Sequence, residues 1–75
     1  MKPSVLINII QRLEAMTTTD NDFEVRRFEI DGVEKCQVSY DNSTDMFELT
    51  DSETSGVFQF DDLDLVAIEI YELLG

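Results

Sequence analysis

Asp31-Gly32 stands between two runs of strand-forming residues, Phe23 to Ile30 and Val33 to Tyr40, and constrains the fold more than any other feature. A two-residue hairpin turn needs positive φ at its centre, which glycine adopts freely and aspartate tolerates, so the runs are predicted to pair antiparallel. In the second run Cys36, Val38 and Tyr40 alternate with Lys35, Gln37 and Ser39, giving one apolar face. The first run is less regular. Its apolar set switches parity at Arg26-Arg27, from Phe23 and Val25 to Phe28 and Ile30. A bulge at the arginine pair would produce that switch, and so would a strand apolar on opposite faces in its two halves.

Further strands follow. Asp41-Asn42-Ser43-Thr44-Asp45 reads as a second turn, after which Phe47 and Leu49 alternate with Met46, Glu48 and Thr50. Thr50 to Gly56 is a polar loop, and Val57 to Phe60 is a candidate short fourth strand with Phe58 and Phe60 inward. Before the hairpin, Pro3 fits a first helical turn, where its missing N–H costs nothing. Leu6, Ile9, Ile10, Leu13 and Met16 then keep helical spacing, predicting an amphipathic helix over about residues 3–16. The run Thr17 to Asp22 breaks it.

At the other end Leu63, Val66, Ala67, Ile70, Leu73 and Leu74 make one helical face, and Leu65, Ile68 and Tyr71 widen it. Val66-Ala67-Ile68 alone would suit a strand, but the length and the acidic start favour a helix. So broad an apolar girth needs cover on two sides: the sheet, and either the first helix or a second subunit. The expected class is α+β, one domain over residues 1–75. It comprises an N-terminal helix, an antiparallel meander of three strands with a fourth in prospect, and a C-terminal helix, both helices on one face.

Charge limits what such a domain could do. Seventeen acidic residues face five basic ones, with no histidine and a single cysteine, for a net charge of −12. All five cations lie at or before Lys35, so the chain from Cys36 onward carries carboxylates alone. Phosphates and anionic lipids both require facing cations, so the charge argues against direct nucleic-acid binding and against an anionic membrane surface, and neither is expected. A hydrophobic content of 43% is too high for a disordered acidic tail. One cysteine makes no internal disulfide, and the apolar stretch from Val5 to Ile10 is too short to span a bilayer and precedes no small-residue cleavage site. The expectation is a soluble, cytoplasmic protein. Asn42-Ser43-Thr44 then reads as a polar turn rather than a glycosylation acceptor.

Few residues could carry chemistry. Asp61, Asp62 and Asp64 form the densest carboxylate cluster; hard oxygens suit Mg²⁺ or Ca²⁺, but acids at a helix start more simply cap it. Asp41, Asn42, Ser43, Asp45 and Glu48 superficially resemble a calcium loop, yet Met46 and Ser52 occupy the positions where that loop requires Gly and Glu. Cys36 has no histidine to activate it and reads as a buried small residue, with Lys35 on the opposite face of its strand. Arg26-Arg27 reads as a counter-charge to Glu24, Glu29 or the acidic second half. No catalytic set, metal site or cofactor site is expected, and the protein is not expected to be an enzyme.

The strings Phe28-Glu29-Ile30-Asp31-Gly32, Cys36, Val38 and Tyr40, then Phe47-Glu48-Leu49, and finally Phe60 through Leu74 resemble the YkuJ-like family of low-GC Gram-positive bacteria. The similarity runs from Ile7 onward, and the segment between Thr50 and Phe58 looks short for the family. The resemblance implies a helix, a three-stranded antiparallel sheet and a helix in a small cytoplasmic protein. It carries no catalytic or binding residue, because the family is functionally uncharacterised.

The leading expectation is a non-enzymatic interaction module that pairs with itself as a homodimer. The alternative is an acidic regulator or decoy that occupies the basic surface of a nucleic-acid-binding protein. A divalent-cation role for Asp61, Asp62 and Asp64 stands third.

Overall fold

The computed structural model describes residues 3–74, with side chains from residue 5 onward. The elements are α1 (Pro3–Thr17), β1 (Phe23–Ile30), β2 (Val33–Asp41), β3 (Met46–Asp51), β4 (Val57–Phe60) and α2 (Leu63–Leu74). The strands form one antiparallel sheet in the order β1-β2-β3-β4, so the candidate fourth strand is its far edge. Asp31 and Gly32 have φ of 52° and 80°, the paired positive values of a type I′ turn. A Cβ on Gly32 would meet nothing within 4 Å, so glycine is needed there for its backbone alone.

Register explains the parity switch in β1. Pairing runs unbroken through Arg26 opposite Val38 and Arg27 opposite Gln37. The bulge considered at the arginine pair lies instead between Phe28 and Glu29, whose partners Cys36 and Glu34 leave Lys35 of β2 as the extra residue. The switch therefore has its other cause: Phe23 and Val25 face the uncovered side of the sheet, and Phe28 faces the helices. Glu24 and Arg26 take the helix-side positions before Phe28 and pair with each other at 3.1 Å.

One cluster forms the core. Ile9, Leu13 and Met16 of α1 meet Val66, Ala67 and Ile70 of α2 over Phe28, Cys36, Val38, Tyr40, Phe47 and Leu49. The sheet members share one face, as their cross-strand pairs Phe28–Cys36, Val38–Leu49 and Tyr40–Phe47 require. Each fully buried Leu13, Met16, Val66 or Ile70 contributes roughly 1.5–3 kcal/mol. Both helices therefore cover the same side, with α2 against all four strands and α1 packed on α2. The opposite face is open and mixed in polarity, as antiparallel sheets allow.

Local bonds set the helix ends. Thr17 and Thr18 donate their hydroxyls to the carbonyls of Glu14 and Ala15, at 2.8 and 3.2 Å, satisfying acceptors that the last turn of α1 leaves free. Leu63 opens α2 just after Asp62, whose carboxylate accepts the Asp64 N–H at 2.8 Å. No helix among the described residues is long and apolar enough to cross a membrane.

Candidate functional site

Two helices cannot cover all of their own apolar girth. Leu6 and Ile10, one turn apart on α1, face Ala67 and Ile68 of α2 across an open groove of about 300 Å³. Asp64, one turn before Ile68, stands at its rim. Ala67 is buried and small, so the surface dips where a larger side chain would fill the space. Beside the groove, Ile7 is 56% exposed, Leu65 53% and Ile68 49%. Ile7 follows Leu6 on α1, and Leu65 and Ile68 stand in the first half of α2, so both helices leave apolar side chains exposed next in sequence to residues that line the groove.

Of the described residues that line the groove, only Asp64 is charged. Asp61, Asp62, Asp64 and Glu72 are all exposed on or beside α2. Three of the four described cations, Arg12, Arg26 and Arg27, are held at β1. Arg12 leaves α1 to cover the Phe28 ring, and its Nη2 donates to the Arg27 carbonyl at 2.9 Å. Arg26 pairs with Glu24, and Arg27 with Glu34 at 3.2 Å. Counter-charging of Glu24 follows the expectation for the arginine pair; Glu34 replaces Glu29 as the second partner, because the bulge places it beside Arg27.

The other sequence candidates form no common centre. Asp62 is the α2 cap, and Asp61 and Asp64 are exposed beside it. Asp41 accepts from the Ser43 N–H and hydroxyl at 2.9 and 2.7 Å, which holds its carboxyl below the usual range. Asp45 accepts instead from the Tyr40 hydroxyl at 2.5 Å, and that bond raises the phenol above its ordinary pKa. Glu48 lies on the uncovered face and accepts the Gln59 amide at 3.3 Å. The calcium-loop likeness thus dissolves into turn bonding. Among the described residues no group of three or more acids or thiols converges to hold a metal. Cys36 is fully buried; burial chiefly, then Asp51 and Glu34, push its thiol up to about 11.

The groove was not legible as a site. Its signal in the sequence is the surplus of Leu65 and Ile68 over the buried face of α2, together with the Leu6-Ile7 step. The role of Arg12 had no signal, since its target, Phe28, lies in another element.

A helix, a four-stranded meander and a helix, with an acid-rimmed apolar groove between the helices, define a small two-layer α+β scaffold. The chain belongs to the family described as "Protein of unknown function (DUF1797)", whose model matches residues 9–74. It is 39% identical over 77 residues to the uncharacterized protein YkuJ of Bacillus subtilis (strain 168), covering 95% of this chain and 98% of that one. The x-ray structure of the B. subtilis YkuJ protein superposes with a TM-score of 0.87 at 38% identity, over 93% of this chain and 96% of the other. The family resemblance read from the sequence is thereby shown, with a fourth strand beyond the three it implied.

Proposed function

We propose that this protein is a non-enzymatic interaction module of the cytoplasm that receives a cationic amphipathic helix of another protein in the groove between α1 and α2. The groove itself carries the reading: apolar walls from Leu6, Ile10, Ala67 and Ile68, with the exposed acid Asp64 and no cation among the described residues that line it. Helix-in-groove recognition supplies buried apolar contact, and the acidic rim supplies steering and orientation. A strongly basic helix from a nucleic-acid-binding protein meets both requirements, which gives the acidic-regulator reading a physical surface. Self-docking in this groove would set Asp64 and its neighbours against the same acids of a second copy, so it is the weaker use of the site.

A synthetic Leu/Lys amphipathic helix tests this by fluorescence anisotropy. It is expected to bind the full chain, whereas a scrambled peptide of equal composition, having no apolar stripe, is expected to bind at least about tenfold more weakly. Equal binding of the two would reduce the interaction to charge attraction and overturn the reading.

A further inference from the structure

The two edges of the sheet are not alike. On β1, the Val25 carbonyl accepts from Arg26 Nη1 and the Arg27 carbonyl from Arg12 Nη2, each at 2.9 Å. Alternate residues of an edge strand turn their backbone groups outward, so both acceptors belong to one edge, and guanidinium groups occupy it. On β4 nothing comparable exists: no described side chain bonds to the backbone of Val57–Phe60, and the strand holds no charge, proline or bulge. Val57 and Phe58 of the strand are 56% and 49% exposed, so Phe58, expected to point inward, is left half uncovered at this edge.

The pairing of β4 fixes which groups are free. Asp51 N–H donates to the Gly56 carbonyl at 2.9 Å, so the hydrogen-bonded pairs with β3 fall at Gly56, Phe58 and Phe60. The N–H and C=O of Val57 and Gln59 therefore point outward. We infer that β4 is a homotypic pairing edge, at which two copies of this chain join antiparallel about a two-fold axis through Phe58. In that register Val57 of each copy exchanges hydrogen bonds with Gln59 of the other, using every outward group of the strand. The two Phe58 side chains meet in the non-hydrogen-bonded position, where cross-strand contact is closest. Asp61 and Asp62 fall opposite Ser55 and Thr54 of the second copy, so no acid faces an acid along the ladder. The groove between α1 and α2 is left free, and the inference stands independently of it.

Sedimentation equilibrium of the full chain is expected to show a dimer that strengthens with salt, because each copy carries −12. The Gln59→Pro variant removes an outward N–H and no bond to β3, so it should keep the far-ultraviolet spectrum and weaken dimerisation by about tenfold or more. In a Cys36→Ala background, Phe58→Cys should oxidise to an intermolecular disulfide, since facing Cα atoms in such a pair lie within bridging distance. Val25→Cys, at the guanidinium-covered edge, is the comparison. A monomer at every concentration and salt, or oxidation at Phe58→Cys no faster than at Val25→Cys, would overturn the inference.

Discussion

The guanidinium carbon of Arg12 lies 4.2 Å from the centroid of the Phe28 ring, joining the first helix to the first strand through a cation on an aromatic face. The same guanidinium donates to the Arg27 carbonyl, so one side chain closes the core and occupies the edge of the sheet. Phe28 is among the largest fully buried side chains, and no other described cation stands over it. This cation is spent inside the fold. Among the described residues, the groove is lined by apolar side chains and Asp64 alone.

Replacing Arg12 by Met keeps most of the stem packing and removes both polar contacts. The expected loss is about 1–2 kcal/mol, read as a lower urea midpoint at unchanged slope. Arg12→Met and Phe28→Leu should be non-additive, since the residues touch. Additive losses would separate Arg12 from Phe28.

At the hairpin, Gly32→Ala places a side chain at φ 80° and should lose about 1 kcal/mol. Gly56→Ala acts differently: the new Cβ would come within 3.2 Å of the Phe58 ring and force it to move. Thermal unfolding of both variants checks this, with a shifted Phe58 resonance expected only for the second.

Cys36 makes stability depend on alkaline pH. Its thiol ionises near 9 in the unfolded chain and about 11 in the fold, so unfolding releases a proton as pH rises. Stability is full below about pH 9 and falls by on the order of 3 kcal/mol toward pH 11. Tyr40, also raised, falls in the same direction, so Cys36→Ala should flatten the profile in part. At pH 8 the native thiol should not react with a disulfide reagent. Prompt labelling without unfolding would contradict its burial.

The aspartates before α2 divide by role. Asp62→Ala should cost about 1 kcal/mol and Asp62→Asn only a few tenths, because asparagine still caps. Asp61→Ala, which removes no capping bond, should be close to neutral. Denaturant melts in Mg²⁺ or Ca²⁺ should match those in an equal ionic strength of monovalent salt. A specific stabilisation by either divalent ion would restore the metal reading.

Local chemistry made much of the fold legible. Asp31-Gly32 names its own turn, and the spacing of Leu6, Ile9, Ile10, Leu13 and Met16 outlines α1 to within a residue. The C-terminal helix begins two residues later than its acidic run, because Asp62 caps α2 and stands outside it. Where β1 turned apolar on both faces the pattern allowed two answers, and only pairing with β2 placed the bulge at Lys35. The groove depends on how two distant helices sit together, and no residue in either helix states that angle. Leu65 and Ile68 signalled surplus apolar surface without saying whether the sheet, α1 or a second chain would cover it.

The groove is tested most directly by one substitution whose electrostatic and steric effects oppose each other. Ile68→Asp adds a negative charge beside the site and removes part of its apolar wall. Calorimetric titration of the full chain with the Leu/Lys helix should show binding weakened by about tenfold or more in Ile68→Asp relative to the parent. Binding that is unchanged or tighter in Ile68→Asp would mean that charge alone drives the contact, and would contradict a helix seated between α1 and α2.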